Sequence, residues 1–260
     1  MFSTEILLYI ALGFVAQLID GALGMAYGLI ATSALLATGT PPALASASVH
    51  AAEIVTTGLA GASHVWNRNI DWALLKRLAP AGMLGGILGA YVLVGLPDNI
   101  LRAFVTIYLI VMAVFIGRRI WLGEKVRRKS AAQRERAMPT VPLGAAGGFL
   151  DAVGGGGWGS IVTSSLIARG DQPRQSIGSV SLAEFFVTLS ISLAFLTALD
   201  LSAYGLVVLG LIIGGALAAP LAGILSRVLP ARMLMIMVAM VVGLLALFSL
   251  VRLISRWAGS

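Results

Sequence analysis

The chain has 260 residues, of which 58% are hydrophobic and 11% are charged, and its mean hydropathy is +0.96. This composition excludes an ordinary soluble domain and predicts an all-α polytopic membrane protein. The absence of cysteine excludes disulfides and thiolate chemistry, and the net charge of +7 lies mainly in loops, as in membrane proteins, and does not indicate nucleic-acid binding.

Eight apolar segments follow one another along the chain, and most are long enough to cross a bilayer. They cover residues 5–38, 43–66, 72–96, 100–122, 141–168, 175–198, 203–228 and 231–252. The only long polar stretch, residues 123–140, carries six Lys or Arg against two Glu. The positive-inside rule therefore predicts that this linker faces the cytoplasm.

The first and fifth segments match without a gap when the chain is shifted by 131 residues along itself. The matched pairs include Asp20 with Asp151, Gly24 with Gly155, Gly28 with Gly159, Thr32 with Thr163, Ser33 with Ser164 and Glu53 with Glu184. Such a match predicts two homologous four-segment halves, residues 1–122 and 141–260, related by a pseudo-two-fold axis.

In each half an aspartate precedes a glycine-rich stretch that interrupts the helix pattern. Aspartate is a preferred N-cap, and the free amides and positive dipole at a helix start suit a small oxyanion. Interrupted segments at matching positions of two halves also indicate a transporter's substrate site. The predicted substrate-binding residues are Asp20, Gly21, Gly24, Gly28, Thr32, Ser33, Asp151, Gly154, Gly155, Gly156, Gly157, Gly159, Thr163 and Ser164. For the glycines alone, close helix packing is the alternative interpretation.

A second group of polar residues lies in the following helix of each half. Glu53 and Glu184 are each about ten residues into a span, near the membrane midplane. They could exchange a proton or brace loosened backbone, and the sequence leaves both roles open. His50 lies three residues before Glu53, which favours a hydrogen bond between them over a metal site, while Ser181 stands at the matching position of the second half. No metal or other cofactor is predicted.

The sequence does not decide whether the first and fifth segments each cross the membrane or turn back within it. If all eight segments cross once, 13 of the 18 Lys and Arg are cytoplasmic; if these two are re-entrant hairpins, 15 are. The first segment is longer than the apolar core requires, which favours a break within it. Re-entrant hairpins and long broken helices are both consistent with the sequence.

The motifs DGALGMAYG from Asp20 and DAVGGGGWG from Asp151, with Glu53, Glu184 and the basic linker, resemble the TauE/SafE sulfite exporter family, also called toluenesulfonate uptake permeases. The first motif has fewer glycines than the second, so the two halves are not expected to hold an anion identically. The resemblance covers essentially the whole chain. It implies a secondary transporter, not an enzyme, in the bacterial cytoplasmic membrane.

The expected substrate is sulfite or an organosulfonate. The expected transport mode is export by alternating access. The expected partners are therefore a small anion and the lipid bilayer, and a homo-oligomer is compatible with the sequence. Buried carboxylates leave a proton- or cation-conducting protein as the alternative. No nucleotide-binding P-loop sequence is found, so energy would come from a solute or ion gradient.

Overall fold

The computed structural model describes residues 2–122, 139–200, 202–228 and 231–258, and all regular elements within these ranges are helices. They are α1 (Phe2–Leu23), α2 (Tyr27–Thr38), α3 (Pro42–Trp66), α4 (Trp72–Gly95), α5 (Asp98–Leu122), α6 (Thr140–Gly154), a π-helical turn (Gly159–Thr163) continuing as α7 (Ser164–Arg169), α8 (Pro173–Ala198), a 3-10 turn (Ser202–Tyr204), α9 (Gly205–Val228) and α10 (Ala231–Ala258). Nearly all of the predicted basic linker, residues 123–138, lies outside the described residues.

Five of the described helices are long and apolar enough to cross a membrane, and they identify a multi-pass membrane protein. The five stretches are Glu5–Leu23, Trp72–Gly95, Asp98–Trp121, Pro173–Ala198 and Arg232–Ser255. Large apolar side chains on α1, α5 and α10 are exposed, among them Leu8, Ile107 and Leu244. This exposure fits helices whose outer faces contact lipid.

Three non-helical residues interrupt each of the first and fifth apolar segments. We call residues 24–26 the first break and residues 155–157 the second break. The second break consists of glycines with φ angles of 69°, 141° and 130°, a region that L side chains rarely adopt. In the first break Gly24 has the same φ of 69°, whereas Ala26 has φ 110° despite its side chain. The glycines therefore explain why the helices end where they do.

The helices of the two halves interdigitate. Helix α1 packs mainly on α9, α4 packs on α6, and α3 crosses α8 at the centre of the bundle. Glycines allow the closest of these approaches: a Cβ atom at Gly89 of α4 would lie 2.7 Å from the carbonyl oxygen of Phe149 on α6. Where α3 meets α8, the hydroxyls of Thr57 and Thr188 are 3.4 Å apart. Each half therefore depends on the other for its core.

Polar contacts near the helix ends show which ends lie together. The Arg169 guanidinium donates to the Thr140 hydroxyl at 3.1 Å, so α7 ends beside the start of α6. Arg252 near the end of α10 donates to the carbonyl oxygen of Ala37 at 2.8 Å, which places it beside the end of α2. Each break therefore lies between two helices. In the fifth segment, the end of α7 lies beside the start of α6.

The two breaks contact each other inside the bundle. A Cβ atom at Gly28 would lie 2.6 Å from Gly156 Cα and 2.9 Å from the carbonyl oxygen of Gly155. In the reciprocal contact, a Cβ atom at Gly159 would lie 2.9 Å from the carbonyl oxygen of Gly24. Only glycine at these positions lets the two backbones approach so closely.

Gly28→Ala is expected to force the breaks apart, because its methyl group would overlap with backbone rather than with a flexible side chain. Overpacking of this kind costs about 1–3 kcal/mol, so the apparent melting temperature of the detergent-purified protein should fall by several degrees. Gly117→Ala on α5 is the matched control, since its added methyl group meets no atom within 4 Å. Equal melting temperatures for the two variants would contradict the contact.

Candidate functional site

The two predicted aspartates each bridge a break. Asp20 lies in the last turn of α1 and accepts a hydrogen bond from the Tyr27 amide, the first of α2, at 3.1 Å. Asp151 lies in the last turn of α6 and accepts from the Trp158 amide at 2.8 Å. The aspartates were expected at the N-cap position itself. They sit earlier in the chain and reach across the break to the amides that an N-cap would hold.

The two predicted glutamates approach the same helix starts from the side. The Glu53 carboxylate lies against the backbone amide of Gly28, and the Glu184 carboxylate lies against that of Gly159. Asp20 and Asp151 also lie close enough to interact electrostatically with both glutamates. At each helix start an aspartate therefore accepts from the first amide, and a glutamate lies beside the next amide. The protein's own carboxyl groups thus occupy the place in which an anion was expected.

His50 joins this cluster through the opposite half. Its Nε2 lies 3.2 Å from Asp151 Oδ2, and the two side chains are 0% and 2% exposed. Its Nδ1 lies 2.8 Å from the carbonyl oxygen of Ser46. The expected bond from His50 to Glu53 is replaced by the bond to Asp151, because Glu53 is turned towards Gly28 on α2 while α6 brings Asp151 to the imidazole.

The contacts of His50 assign its tautomer. A carbonyl oxygen only accepts, so the contact with Ser46 assigns a hydrogen to Nδ1. Nε2 then faces the Asp151 carboxyl group, and a hydrogen bond between them forms when either group carries a further proton. Ser181, at the matching position of the second half, has no nitrogen that can do this.

The predicted hydroxyl groups have different surroundings. The Thr32 hydroxyl donates to the carbonyl oxygen of Gly155, and the Ser164 hydroxyl accepts from Arg119. Thr163 is buried. Ser33 is fully buried, and its hydroxyl has no hydrogen-bond partner within the described part of the chain. The Ser33 hydroxyl is therefore available to a solute or a water molecule.

Among the predicted glycines, Gly21 is not brought to the site. It lies within α1 and is exposed, away from the non-helical residues of the first break. Gly154 is the last residue of α6, and the Tyr108 ring packs against it. The remaining predicted glycines lie in the breaks or in the contact between them.

One residue at the second break was not predicted. The Tyr108 hydroxyl donates to the carbonyl oxygen of Gly156 at 2.7 Å, which stabilises the loosened backbone of this break. A polar group on an apolar helix is a weak signal, and it does not say which part of the chain it contacts. Gln17, on α1, is also buried, and its side-chain oxygen has no partner within the described ranges. In the same ranges, no three His, Asp or Glu side chains are arranged to hold a metal ion.

Comparison with known proteins supports one assignment. The family model described as sulfite exporter TauE/SafE matches residues 9–249. The chain is 36% identical to the probable membrane transporter protein YtnM of Bacillus subtilis over 255 residues, covering 97% of this chain and 84% of that protein. No solved structure matches. Both matches describe membrane transporters rather than enzymes, and the chain belongs to the TauE/SafE sulfite exporter family.

Proposed function

We propose that this chain is a secondary transporter that carries a small sulfur-containing oxyanion, sulfite or an organosulfonate, across the cytoplasmic membrane. One observation carries the proposal: the two helix breaks meet in the interior of the bundle. There, carboxyl groups of the protein lie beside the backbone amides of Tyr27, Gly28, Trp158 and Gly159. Export by alternating access, with the two halves moving against each other, is the transport mode that we propose.

The halves are proposed to be inverted repeats, residues 1–122 and 141–260, with each break at the tip of a re-entrant hairpin. The contact between Arg169 and Thr140 supports this, because a segment that crossed the membrane once would separate those residues. The contact between Arg252 and Ala37 supports the second hairpin independently: six proposed spanning helices separate the two residues, so they share a face only if the fifth segment does not cross. The hairpin in the first half is inferred from the sequence match between the two segments. In this arrangement the basic linker is cytoplasmic, and so are residues 67–71 and 170–172.

Single cysteines test this topology without background, because the chain has no cysteine of its own. Arg68→Cys and Gln172→Cys should both react with a membrane-impermeant maleimide only in inside-out vesicles. Asp200→Cys, between α8 and α9, should react only in right-side-out vesicles. If eight segments each crossed once, positions 68 and 172 would be labelled from opposite sides, and the hairpins would be excluded.

The carboxylates suggest how an anion binds. A solute anion and the carboxylates of Asp20, Glu53, Asp151 and Glu184 compete for the same amides, and a negative solute beside them is repelled. Protonation of a carboxyl group weakens its hold on the amide and removes the repulsion. Anion binding is therefore favoured together with proton binding. The transporter would move its anion with protons in the same direction, and anion binding would strengthen as pH falls. Export would then require an outward anion gradient that exceeds the opposing proton gradient.

The pair of His50 and Asp151 is the proposed carrier of the coupled proton. It is almost fully buried, a proton shared by the two groups would complete their hydrogen bond, and it connects α3 of the first half to α6 of the second. Relative movement of the halves would break this bond and release the proton to a different environment. Glu53, Glu184 and Ser181 are proposed to tune the site.

A second candidate is a proton- or cation-conducting protein. Its support is the number of buried acids, because four carboxyl groups with one imidazole form an unusual surrounding for an anion. This candidate does not account for the glycine-lined contact between two helix starts. Flux measurements separate the two functions.

Proteoliposomes should take up radiolabelled sulfite in a saturable manner, and faster when the outside is acidic, because protonated carboxyl groups free the amides. Ethanesulfonate serves as a second solute, since its charge stays constant with pH. Liposomes with Gly117→Ala should behave like the parent protein, and those with Gly28→Ala should lose most of the flux. Proton leakage without any flux of sulfite or sulfonate would favour the conducting protein instead.

His50→Gln is expected to remove the shared proton. Loss of this charge-assisted hydrogen bond should lower uptake driven by a pH gradient about tenfold or more. Exchange of labelled for unlabelled anion at equal pH should persist, because exchange needs no net proton movement. Ser181→Ala is the matched change in the other half, and loss of a tuning residue should alter uptake and exchange to the same small extent. Equal loss of uptake and exchange in His50→Gln would indicate a purely structural histidine.

A further inference from the structure

A cavity separate from the helix breaks lies where α2 ends, between α5 and α10. Its empty space measures about 390 Å³, a value that includes open solvent at its mouth. The lining residues are Leu36, Gly39, Arg102, Thr106, Ser249, Arg252 and Leu253. Two arginines thus line one cavity.

The arginines are held in place by the end of α2. Arg102 donates to the carbonyl oxygens of Gly39 and Thr40, both at 3.3 Å, and to the Asp98 carboxylate at 3.0 Å. Arg252 donates to the carbonyl oxygen of Ala37 at 2.8 Å. Because their positions are fixed, the guanidinium groups lose little conformational entropy when they bind a ligand.

The cavity still has hydrogen-bonding capacity. A guanidinium has five N–H donors, and the contact with Ala37 engages one nitrogen of Arg252. Among the described residues no carboxylate pairs with Arg252, while Asp98 pairs with Arg102. The Ser249 hydroxyl is buried and has no partner in the described part of the chain. An arginine without a carboxylate partner beside an unpaired hydroxyl matches the acceptor oxygens of a small oxyanion.

The second half does not repeat this cavity. Aligning Leu229-Pro230 with Leu96-Pro97 shifts the register to 133, which places Arg252 on Arg119 but Arg102 on Met235 and Ser249 on Ile116. The pair of arginines is thus a property of one end of the molecule. The internal repeat alone therefore does not explain why two arginines line this cavity.

We propose that this cavity binds one small oxyanion through Arg252, Arg102 and Ser249, at the face opposite the basic linker. The location of that face rests on the proposed topology, whereas the binding itself does not. The same chemistry is offered by a free sulfite or sulfate ion and by the phosphate of a lipid headgroup. A free anion bound here would be a solute at the outer mouth of the transport path.

Equilibrium binding of labelled sulfite, kept anaerobic, and of labelled sulfate to detergent-purified full-length protein tests the proposal. Arg252→Gln should weaken binding about tenfold or more, as expected for loss of a charge-assisted pair. Arg232→Gln removes the same charge from an exposed position at the other end of α10 and should leave binding unchanged. Ser249→Ala should weaken binding less, and it remains informative if Arg252→Gln fails to fold.

A parallel measurement distinguishes the two sources of oxyanion. Native mass spectrometry of protein extracted from phosphatidylglycerol nanodiscs reports whether a lipid is retained. A lipid lost in Arg252→Gln but kept in Arg232→Gln, without binding of sulfite or sulfate, would identify the headgroup as the ligand. If neither anion nor lipid distinguishes Arg252→Gln and Ser249→Ala from Arg232→Gln, the proposal is wrong. Binding without transport would overturn the proposed function and leave this site standing.

Discussion

The structure depends on how two stretches of non-helical backbone are satisfied inside a membrane protein. Lipid offers no hydrogen bonds, so an interrupted helix survives in the interior only if protein groups replace the missing partners. Asp20 and Asp151 supply them to the next helix start, and Glu53 and Glu184 add a second acceptor to each. The glycine contacts between the breaks follow from this, because the loosened backbones are covered mainly by each other.

The same arrangement makes the site both stable and adaptable. A helix start attracts negatively charged groups, and a side-chain carboxylate is such a group supplied by the protein itself. While it stays in place the amides are satisfied. In the proposed mechanism, a carboxyl group that takes a proton becomes a poorer acceptor, and a solute anion replaces it. The energetic cost of leaving the backbone unsatisfied would then link anion binding to proton binding.

The sequence predicted the membrane class and the residues at the breaks, because glycine density and buried acids are local signals that occur twice. Composition and the run of apolar segments were enough to indicate helices long enough to span. The partner of His50 could not be predicted, since spacing within α3 favoured Glu53 and only the packing of α6 brings Asp151 closer. Tyr108 and Arg252 were missed for the same reason: their contacts join residues 48 and 215 positions apart.

The differences between the halves matter more for mechanism than their likeness. His50 has only Ser181 as its counterpart, Ala26 stands where the second break has Gly157, and the pair of arginines lies at one end alone. Such differences cannot set the direction of net transport, because that direction follows from the gradients of anion and proton. They can decide which face receives the proton and which first receives the anion. In the proposed transporter, an asymmetric site between two related halves would control the order of binding, while movement of the halves would supply the two alternating states.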